Sequence, residues 1–180
     1  MSIQVFNNFL TEEETKKAYM YALKSKNWEF QTSSGKKNLT STPFLCLNIL
    51  KGETFFHETI FERIKKLINK KVFLHRVYIN GQSSGCNGTF HIDGCDKTVL
   101  IYLSPYDIEW GGFTEFILNE NGDHPEIKCV APFTSSMVIF DGNISHKAYS
   151  FSYQHCPTRY SLTYKLDYKK IKYNPSLIYS

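Results

Sequence analysis

The N-terminal third of the chain carries a helical pattern of apolar and polar positions. Thr11 and Glu14 have the spacing of a capping box, in which a hydroxyl and a carboxylate each accept a hydrogen bond from a free amide at a helix start. Apolar side chains then recur at helical intervals, at Ala18, Tyr19, Ala22 and Leu23. The same spacing predicts a second helix over residues 54–69, with one apolar face made by Phe56, Ile60, Ile64 and Leu67. The polar segment 31–42 between the two helices is predicted to be an exposed loop.

From Val72 onward the pattern changes to short apolar or alternating runs. These runs span 72–79, 97–103, 113–118, 127–130, 136–140, 145–151 and 159–166. Glycine, proline, asparagine and serine separate them, as at Gly111-Gly112 and Asn121-Gly122. Seven or eight short strands with regular turn signals are typical of a β-sandwich or a jelly roll. We therefore predict a mainly β (α+β) protein whose N-terminal helices pack on one sheet.

The length and composition fit one globular domain. The chain has 180 residues, of which 42% are hydrophobic and 21% charged, and this mix excludes a disordered chain or a coiled coil. Aromatic residues reach 16%, which suits strands. We divide the chain into a helical N-terminal elaboration (1–71), a β-rich core (72–166) and a C-terminal tail (167–180).

Cysteine usage and charge bear on the compartment and on partners. The five cysteines form no C-x-x-C pair, and the N-terminus has no apolar leader, so we expect free thiols and a cytoplasmic location. No apolar run is long enough to span a membrane, so no membrane partner is predicted. The net charge of +4 is too small to indicate a nucleic-acid partner.

His91 and Asp93 are the first candidate metal ligands. Residues i and i+2 on a strand project to the same face, about 7 Å apart along the chain, so an imidazole and a carboxylate can converge on one ion. His146, which opens a later apolar run, is the best candidate for the third ligand. Two histidines and one carboxylate form the facial triad of non-haem Fe(II) oxygenases. His91, Asp93 and His146 are therefore a candidate catalytic metal site.

A second candidate site lies on the last predicted strand. Arg159, Ser161 and Thr163 alternate with apolar residues and so share one face. A buried arginine needs an anionic partner, and its planar guanidinium matches a carboxylate. This polar face would suit a dicarboxylate whose other end chelates the metal.

Six further segments occur in the order of a known family. They are Tyr78–Gln82 (Y-x-x-G-Q), Lys97–Ser104, Gly111–Phe116 (G-G-x-T-x-F), Val130–Pro132, Met137–Phe140 with His146, and Thr158–Thr163. Together, from about 73 to 166, the chain resembles the 2-oxoglutarate- and Fe(II)-dependent dioxygenases, specifically the prolyl 4-hydroxylase-like branch. The N-terminal Phe6–Glu14 is similar to the opening of many members.

The resemblance implies a fold and a set of roles. The fold would be a double-stranded β-helix, a jelly roll whose two sheets hold the metal at one open end. His91, Asp93 and His146 would bind Fe(II), and Arg159 would pair with the distal carboxylate of 2-oxoglutarate. The polar side chains expected to complete the cosubstrate pocket are Tyr102, Tyr78, Thr163 and Ser161.

The resemblance also implies a reaction. O₂ and 2-oxoglutarate would be consumed, succinate and CO₂ released, and a C–H bond hydroxylated, with ascorbate a candidate accessory reductant. Retention of Asp93 favours hydroxylation over halogenation. A prolyl residue in a peptide or protein is the predicted substrate. Lys165, however, stands where the oxygen-sensing hydroxylases carry a substrate-contacting tryptophan, and the segments 83–90 and 149–157 are longer than is usual in the family.

Three other interpretations remain open. A hydroxylase acting on a small molecule, such as a free amino acid, fits the same residues. A nucleic-acid repair dioxygenase of the AlkB type fits less well, because its closing strand reads R-x-N-x-T-x-R, whereas this chain has Ser161 and Lys165 at the second and last of those polar positions. A non-catalytic jelly-roll binding module would be expected to lack part of the triad or Arg159.

Overall fold

The chain folds into two antiparallel sheets with helices on one side. The computed structural model describes residues 2–31, 42–119, 124–152 and 157–170. The strands are β1 (Ile3–Phe6), β2 (Glu29–Gln31), β3 (Phe44–Asn48), β4 (Phe73–Gln82), β5 (Lys97–Tyr102), β6 (Thr114–Asn119), β7 (Glu126–Val130), β8 (Met137–Asp141), β9 (His146–Ala148) and β10 (Arg159–Asp167). The helices are α1 (Glu12–Lys24) and α2 (Phe61–Leu67), with a π-helical segment (Phe55–Ile60) leading into α2 and a 3₁₀ turn at Ile108–Trp110.

The larger sheet has seven strands in the order β1-β8-β5-β10-β4-β3-β2, and the smaller has the order β7-β6-β9. An isolated bridge between His91 and His146 adds the segment around His91 to the edge of the smaller sheet. The predicted mainly β jelly roll is confirmed. All seven predicted strand runs after Val72 correspond to strands β4 to β10.

Alternation along β10 separates an apolar face from a polar one. Its even-numbered residues, from Tyr160 to Leu166, pack into the main core with the helices. The odd-numbered residues point to the space between the sheets, since Arg159 reaches β6 and Lys165 reaches Asp93. The strand predicted to carry the cosubstrate site therefore presents its polar face to the interior.

Both N-terminal helices pack on the outer face of the larger sheet. The capping box forms as predicted, with the Glu14 amide donating to the Thr11 hydroxyl at 3.2 Å and the Thr11 amide to the Glu14 carboxylate at 2.9 Å. Ala18 and Ala22 are fully buried, but Leu23 is 50% exposed and Leu67 is 41% exposed. The predicted apolar faces of the two helices therefore extend too far towards the C-terminus. Leu23 and Leu67 lie in the last turn of their helices, where about half of each side chain is exposed.

The N-terminal segment also contributes strands that the pattern did not predict. β1 pairs with β8, while β3 pairs with β4 and β2 with β3. β1 and β2 are short strands at the two edges of the larger sheet. The segment 1–71 is thus more than a helical elaboration, and the division of the chain at residues 71 and 166 remains an interpretation of the sequence pattern.

Neither helix in the described part of the chain has the length and apolar character required to cross a bilayer. The four cysteines in the described ranges, Cys46, Cys86, Cys95 and Cys129, are free thiols, as predicted. Cys156, and most of the predicted loop 31–42 and tail 167–180, lie outside the described residues.

Candidate metal centre and cosubstrate pocket

The structure brings His91, Asp93 and His146 together. One ligand atom from each lies within 4.8 Å of the other two, and within the described ranges no other group of three potential ligands does so. The Asp93 carboxylate lies 3.6 Å from the Nε2 atom of each histidine, with Oδ1 towards His91 and Oδ2 towards His146. Two elements position the set, because the His91 and His146 backbones hydrogen-bond to each other at 3.0 and 2.9 Å.

Both histidines are held in the tautomer that binds a metal through Nε2. His91 Nδ1 lies 2.8 Å from the Thr89 carbonyl oxygen, and His146 Nδ1 lies 2.9 Å from that of Ile144. A carbonyl oxygen only accepts, so each Nδ1 carries a proton, and in a neutral ring of this tautomer Nε2 holds the lone pair that can bind a metal. Burial lowers the pKa of His146 to about 4, so this ring is neutral near pH 7. The donor set fits a divalent ion such as Fe(II).

Asp93 is held in place by its second oxygen. Oδ2 accepts hydrogen bonds from the Thr98 hydroxyl and from the ammonium of Lys165. Burial alone would raise the pKa of Asp93, but Lys165, His146 and Thr98 outweigh it and lower the pKa below its usual value. The carboxylate is therefore ionised, and Oδ1 remains available to a metal.

Arg159 lies at the other end of the interior face of β10. It is 1% exposed, and its guanidinium donates to the Gly112 carbonyl at 2.9 Å, to Gln82 Oε1 at 2.8 Å and to the Thr114 hydroxyl at 2.9 Å. All three partners are neutral, and no carboxylate lies within ion-pair distance of Arg159 among the described residues. Burial lowers the pKa of the guanidinium, as expected for a charge without a counter-ion. Such a group is suited to bind an anion.

The remaining predicted pocket residues lie between these two ends. Tyr102 is buried beside Arg159, with its ring centroid 5.2 Å from the guanidinium carbon and its hydroxyl 2.9 Å from Thr114 Oγ1. Tyr78 pairs with Thr163 across β4 and β10. The Thr163 hydroxyl is buried and has no hydrogen-bond partner in the described part of the chain. Ser161 is also buried. The Thr163 hydroxyl is therefore free to hydrogen-bond to a ligand bound between the metal ligands and Arg159.

Gly112 shapes the wall of this pocket. Its φ of +74° is one that residues with a side chain rarely adopt, and an added Cβ would lie 2.5 Å from Phe151 Cδ1. We expect Gly112→Ala to lower the free energy of unfolding by at least about 2 kcal/mol, from backbone strain and the clash with Phe151. Urea denaturation would measure it, with Gly52→Ala as control, because a Cβ at Gly52 meets no atom within 4 Å. Equal effects of the two substitutions would contradict this prediction.

Sequence reasoning missed several residues that support the site. Gln82 and Thr114, which bind Arg159, are the last residue of the Y-x-x-G-Q segment and the threonine of G-G-x-T-x-F. Both were recognised as parts of motifs without a chemical role. Thr98, which donates to Asp93, gave no usable signal, because its placement depends on the register between strands. Lys165 was noted only as a departure from the family's tryptophan, and its ion pair with Asp93 was not predicted.

His57, His75 and Cys95 make hydrogen bonds away from the candidate metal ligands. His57 Nε2 lies 3.4 Å from the Ile49 carbonyl, and His75 Nδ1 lies 2.9 Å from the Asp167 carboxylate. Cys95 Sγ contacts the Lys97 carbonyl at 3.3 Å. His155 lies outside the described residues.

Comparison with models of protein families and with curated proteins gives no match. Solved structures do match. A prolyl hydroxylase from Trichoplax adhaerens, in complex with a peptide of the hypoxia-inducible factor oxygen degradation domain, has a TM-score of 0.68 and 17% identity over 92% of this chain and 83% of that chain. A prolyl-4-hydroxylase from Pseudomonas putida has a TM-score of 0.67 and 13% identity, covering 91% of each chain.

A third similar structure is HygX from Streptomyces hygroscopicus, with nickel, 2-oxoglutarate and hygromycin B bound. Its TM-score is 0.65 at 8% identity, over 91% of this chain and 82% of that chain. At such low identities the likeness concerns the fold. The chain has the jelly-roll fold of the 2-oxoglutarate/Fe(II) oxygenases, prolyl hydroxylases among them, as the resemblance in sequence implied.

Proposed function

We propose that this protein is an Fe(II)- and 2-oxoglutarate-dependent dioxygenase that hydroxylates a prolyl residue in a peptide or protein. One observation carries the dioxygenase proposal. The same interior space holds a facial set of two imidazoles and one carboxylate, and a buried arginine without an anionic partner in the described residues. A facial triad leaves coordination positions open, and the arginine suits the far carboxylate of a 2-oxo acid.

The residues would divide the work as follows. His91, Asp93 and His146 would hold the ion through two Nε2 atoms and Asp93 Oδ1. Arg159 would bind the distal carboxylate of 2-oxoglutarate, supported by Gln82 and Thr114, with the Tyr102, Tyr78, Ser161 and Thr163 hydroxyls along the same wall. When bound, Fe(II), 2-oxoglutarate and O₂ would supply the oxidising chemistry, with ascorbate a candidate reductant in turnover.

The prolyl substrate rests on the similar structures and on the motifs. The similar structures include prolyl hydroxylases, one of them in complex with a peptide fragment of the hypoxia-inducible factor oxygen degradation domain. A small-molecule substrate is the second candidate, because HygX was solved with hygromycin B and another similar protein is an epimerase from nogalamycin biosynthesis. Lys165, in place of an aromatic residue beside the metal site, favours this second candidate.

The proposal is tested by adding Fe(II) and then 2-oxoglutarate to the protein under anaerobic conditions. A weak visible charge-transfer band should appear, and His124→Ala, a change at an exposed histidine outside the site, should leave it unchanged. O₂ is then admitted, and succinate is quantified with and without a proline-rich peptide. Succinate release that the peptide stimulates supports a prolyl substrate. A band with only slow, peptide-independent succinate supports the small-molecule candidate, and no band contradicts the dioxygenase proposal.

A further inference from the structure

A basic groove lies between the end of α2 and the start of β4. Its volume is about 530 Å³, and its lining comes from α2, from the turn that follows and from the first residues of β4. Four lysines share this lining, namely Lys65, Lys66, Lys70 and Lys71. In the described part of the chain, Glu62 is the one acidic side chain that lines it. We call this feature the lysine groove.

The lysine groove is separate from the metal site. Phe61, which lines the groove, stacks on Tyr164 of β10 with ring centroids 6.2 Å apart, and Tyr164 belongs to the apolar face that packs against the helices. The side chain of Lys165, the next residue, points the other way and binds Asp93 in the space between the sheets. The larger sheet thus separates the two sites, and a molecule in the groove leaves the metal site open.

Contacts within the protein account for only part of this positive charge. Lys65 pairs with Glu62, and the other three lysines form no ion pair in the described ranges. Cations are favourable near the C-terminus of a helix, which accounts for Lys65 and Lys66 in the last turn of α2. Lys70 and Lys71 lie beyond the helix, past the range of its dipole. The groove is therefore a region of positive potential that an anion would stabilise.

Three of the four lysines are held against aromatic rings. The ammonium nitrogens lie 5.0 to 5.3 Å from the ring centroids in the pairs Lys65–Phe61, Lys71–Phe73 and Lys70–Tyr168. These contacts restrict the long side chains, which reduces the entropy lost when an anion binds. A cation over each ring also competes with the stacking of a nucleobase on it.

The floor of the groove is apolar. Phe61 and Val72 are buried, while Phe73 and Leu74 are half-buried, and all four line the groove. An apolar side chain of a polypeptide gains free energy when it is buried there, whereas a chain of phosphates has no group that does so. The segment 171–180, which follows β10 along the chain, contains no aspartate or glutamate. Charge complementarity therefore favours a partner other than this segment.

We infer that the lysine groove binds an acidic segment of a protein partner, with carboxylates against the lysines and an apolar side chain on the floor. The inference goes beyond the proposed function and does not depend on it. An ion pair with one exposed lysine is weak, so specificity requires several pairs formed together. The four lysines and the apolar floor of one groove supply that combination.

Three labelled peptides that differ in one property test the inference. Each has four repeats, of Glu-Glu-Leu in the first peptide, Gln-Gln-Leu in the second and Glu-Glu-Ser in the third. Fluorescence anisotropy at physiological ionic strength measures their affinities for the full chain. The first peptide should bind at least about tenfold more tightly than the second and at least about threefold more tightly than the third. Equal affinities in either comparison overturn the inference.

Two variants of equal net charge show whether the peptide binds in the groove. The groove variant combines Lys65→Gln, Lys66→Gln, Lys70→Gln and Lys71→Gln. The control combines the same change at four exposed lysines elsewhere, Lys16→Gln, Lys24→Gln, Lys26→Gln and Lys51→Gln. Affinity for the Glu-Glu-Leu peptide should fall at least about tenfold in the groove variant and less than about threefold in the control. Equal losses mean that net charge alone attracts the peptide, and they overturn the inference.

A second groove variant, Lys70→Glu with Lys71→Glu, changes only positions outside α2 and β4 and replaces the first if that one does not fold. It should weaken peptide binding at least as strongly, because it adds repulsion to the loss of attraction. A single-stranded RNA oligonucleotide and phosphatidylserine vesicles are titrated into the same proteins. If the groove variants lose affinity for either of these and keep that for the peptide, the groove serves a nucleic acid or a membrane and the inference is overturned.

These titrations need neither Fe(II) nor 2-oxoglutarate, so they can fail independently of the proposed function. If the charge-transfer band forms but the peptides bind alike, the dioxygenase proposal stands and the groove assignment fails. If no band forms while the groove variant loses the acidic peptide, the groove assignment stands and the dioxygenase proposal fails.

Discussion

Asp93→Ala is expected to abolish metal binding and to destabilise the protein at the same time. The substitution removes the only carboxylate among the candidate ligands and leaves the two imidazoles. We expect the affinity for Fe(II), or for Co(II) as a probe, to fall by more than about a hundredfold, since loss of a residue that merely supports a ligand already costs 10–100-fold. Calorimetric titration of Co(II) under anaerobic conditions would measure this loss.

The destabilisation has a separate cause that a second substitution can isolate. Asp93→Ala leaves the Lys165 ammonium without its anionic partner, and its side chain is only 16% exposed. Breaking a buried ion pair from one side costs about 3–5 kcal/mol, and partial exposure places the expected loss at the lower end. Asp93→Ala combined with Lys165→Met should recover most of the thermal stability, because no charge is then left unpaired.

The double variant should nevertheless remain unable to bind the metal. This combination distinguishes a ligand from a residue that is merely structural, since stability returns while metal affinity does not. His124→Ala serves as the control for nonspecific binding of Co(II) to a surface histidine. Wild-type affinity for Co(II) in Asp93→Ala, or recovery of that affinity in the double variant, would refute the role of Asp93 as a ligand.

The fold could be predicted where local patterns decide it. Short strands bounded by turn residues produced β4 to β10, and the capping box placed the start of α1 at Glu12. The local pattern did not predict the strands β1, β2 and β3. The π-helical turn Phe55–Ile60 likewise has no periodic signature distinct from that of the α-helix it leads into.

The candidate site was likewise predictable only where local sequence patterns determine it. His91 and Asp93 are two residues apart, so strand geometry alone places them on one face, and the family's motif order adds His146 and Arg159. The partners of these residues come from elsewhere in the chain. Gln82, for example, is 77 residues from the Arg159 it binds, and only the register of β4 against β10 brings the two together.

Arg159→Gln is expected to weaken the binding of 2-oxoglutarate by about 10- to 150-fold. The estimate corresponds to the loss of a charge-assisted pair worth about 1.5–3 kcal/mol. Glutamine keeps a donor and an acceptor for Gln82 and Thr114, so the pocket retains part of its hydrogen bonding while losing the charge. Binding is measured by anaerobic titration of 2-oxoglutarate into protein loaded with Fe(II), following the charge-transfer band.

Arg159→Lys tests whether geometry matters as well as charge. Lysine keeps the charge but cannot donate to three partners in the plane that the guanidinium defines, so its affinity should lie between those of wild type and Arg159→Gln. Affinity for the metal alone should be unchanged in both variants, because Arg159 contacts none of the triad residues.

Thermal denaturation gives an independent readout of 2-oxoglutarate binding. Saturating 2-oxoglutarate should raise the melting temperature of the wild type, since a ligand at a hundred times its Kd adds about 2.7 kcal/mol to stability, and the rise should be much smaller in Arg159→Gln. An equal rise in both proteins would mean that the cosubstrate is anchored elsewhere and that the buried charge of Arg159 serves another ligand.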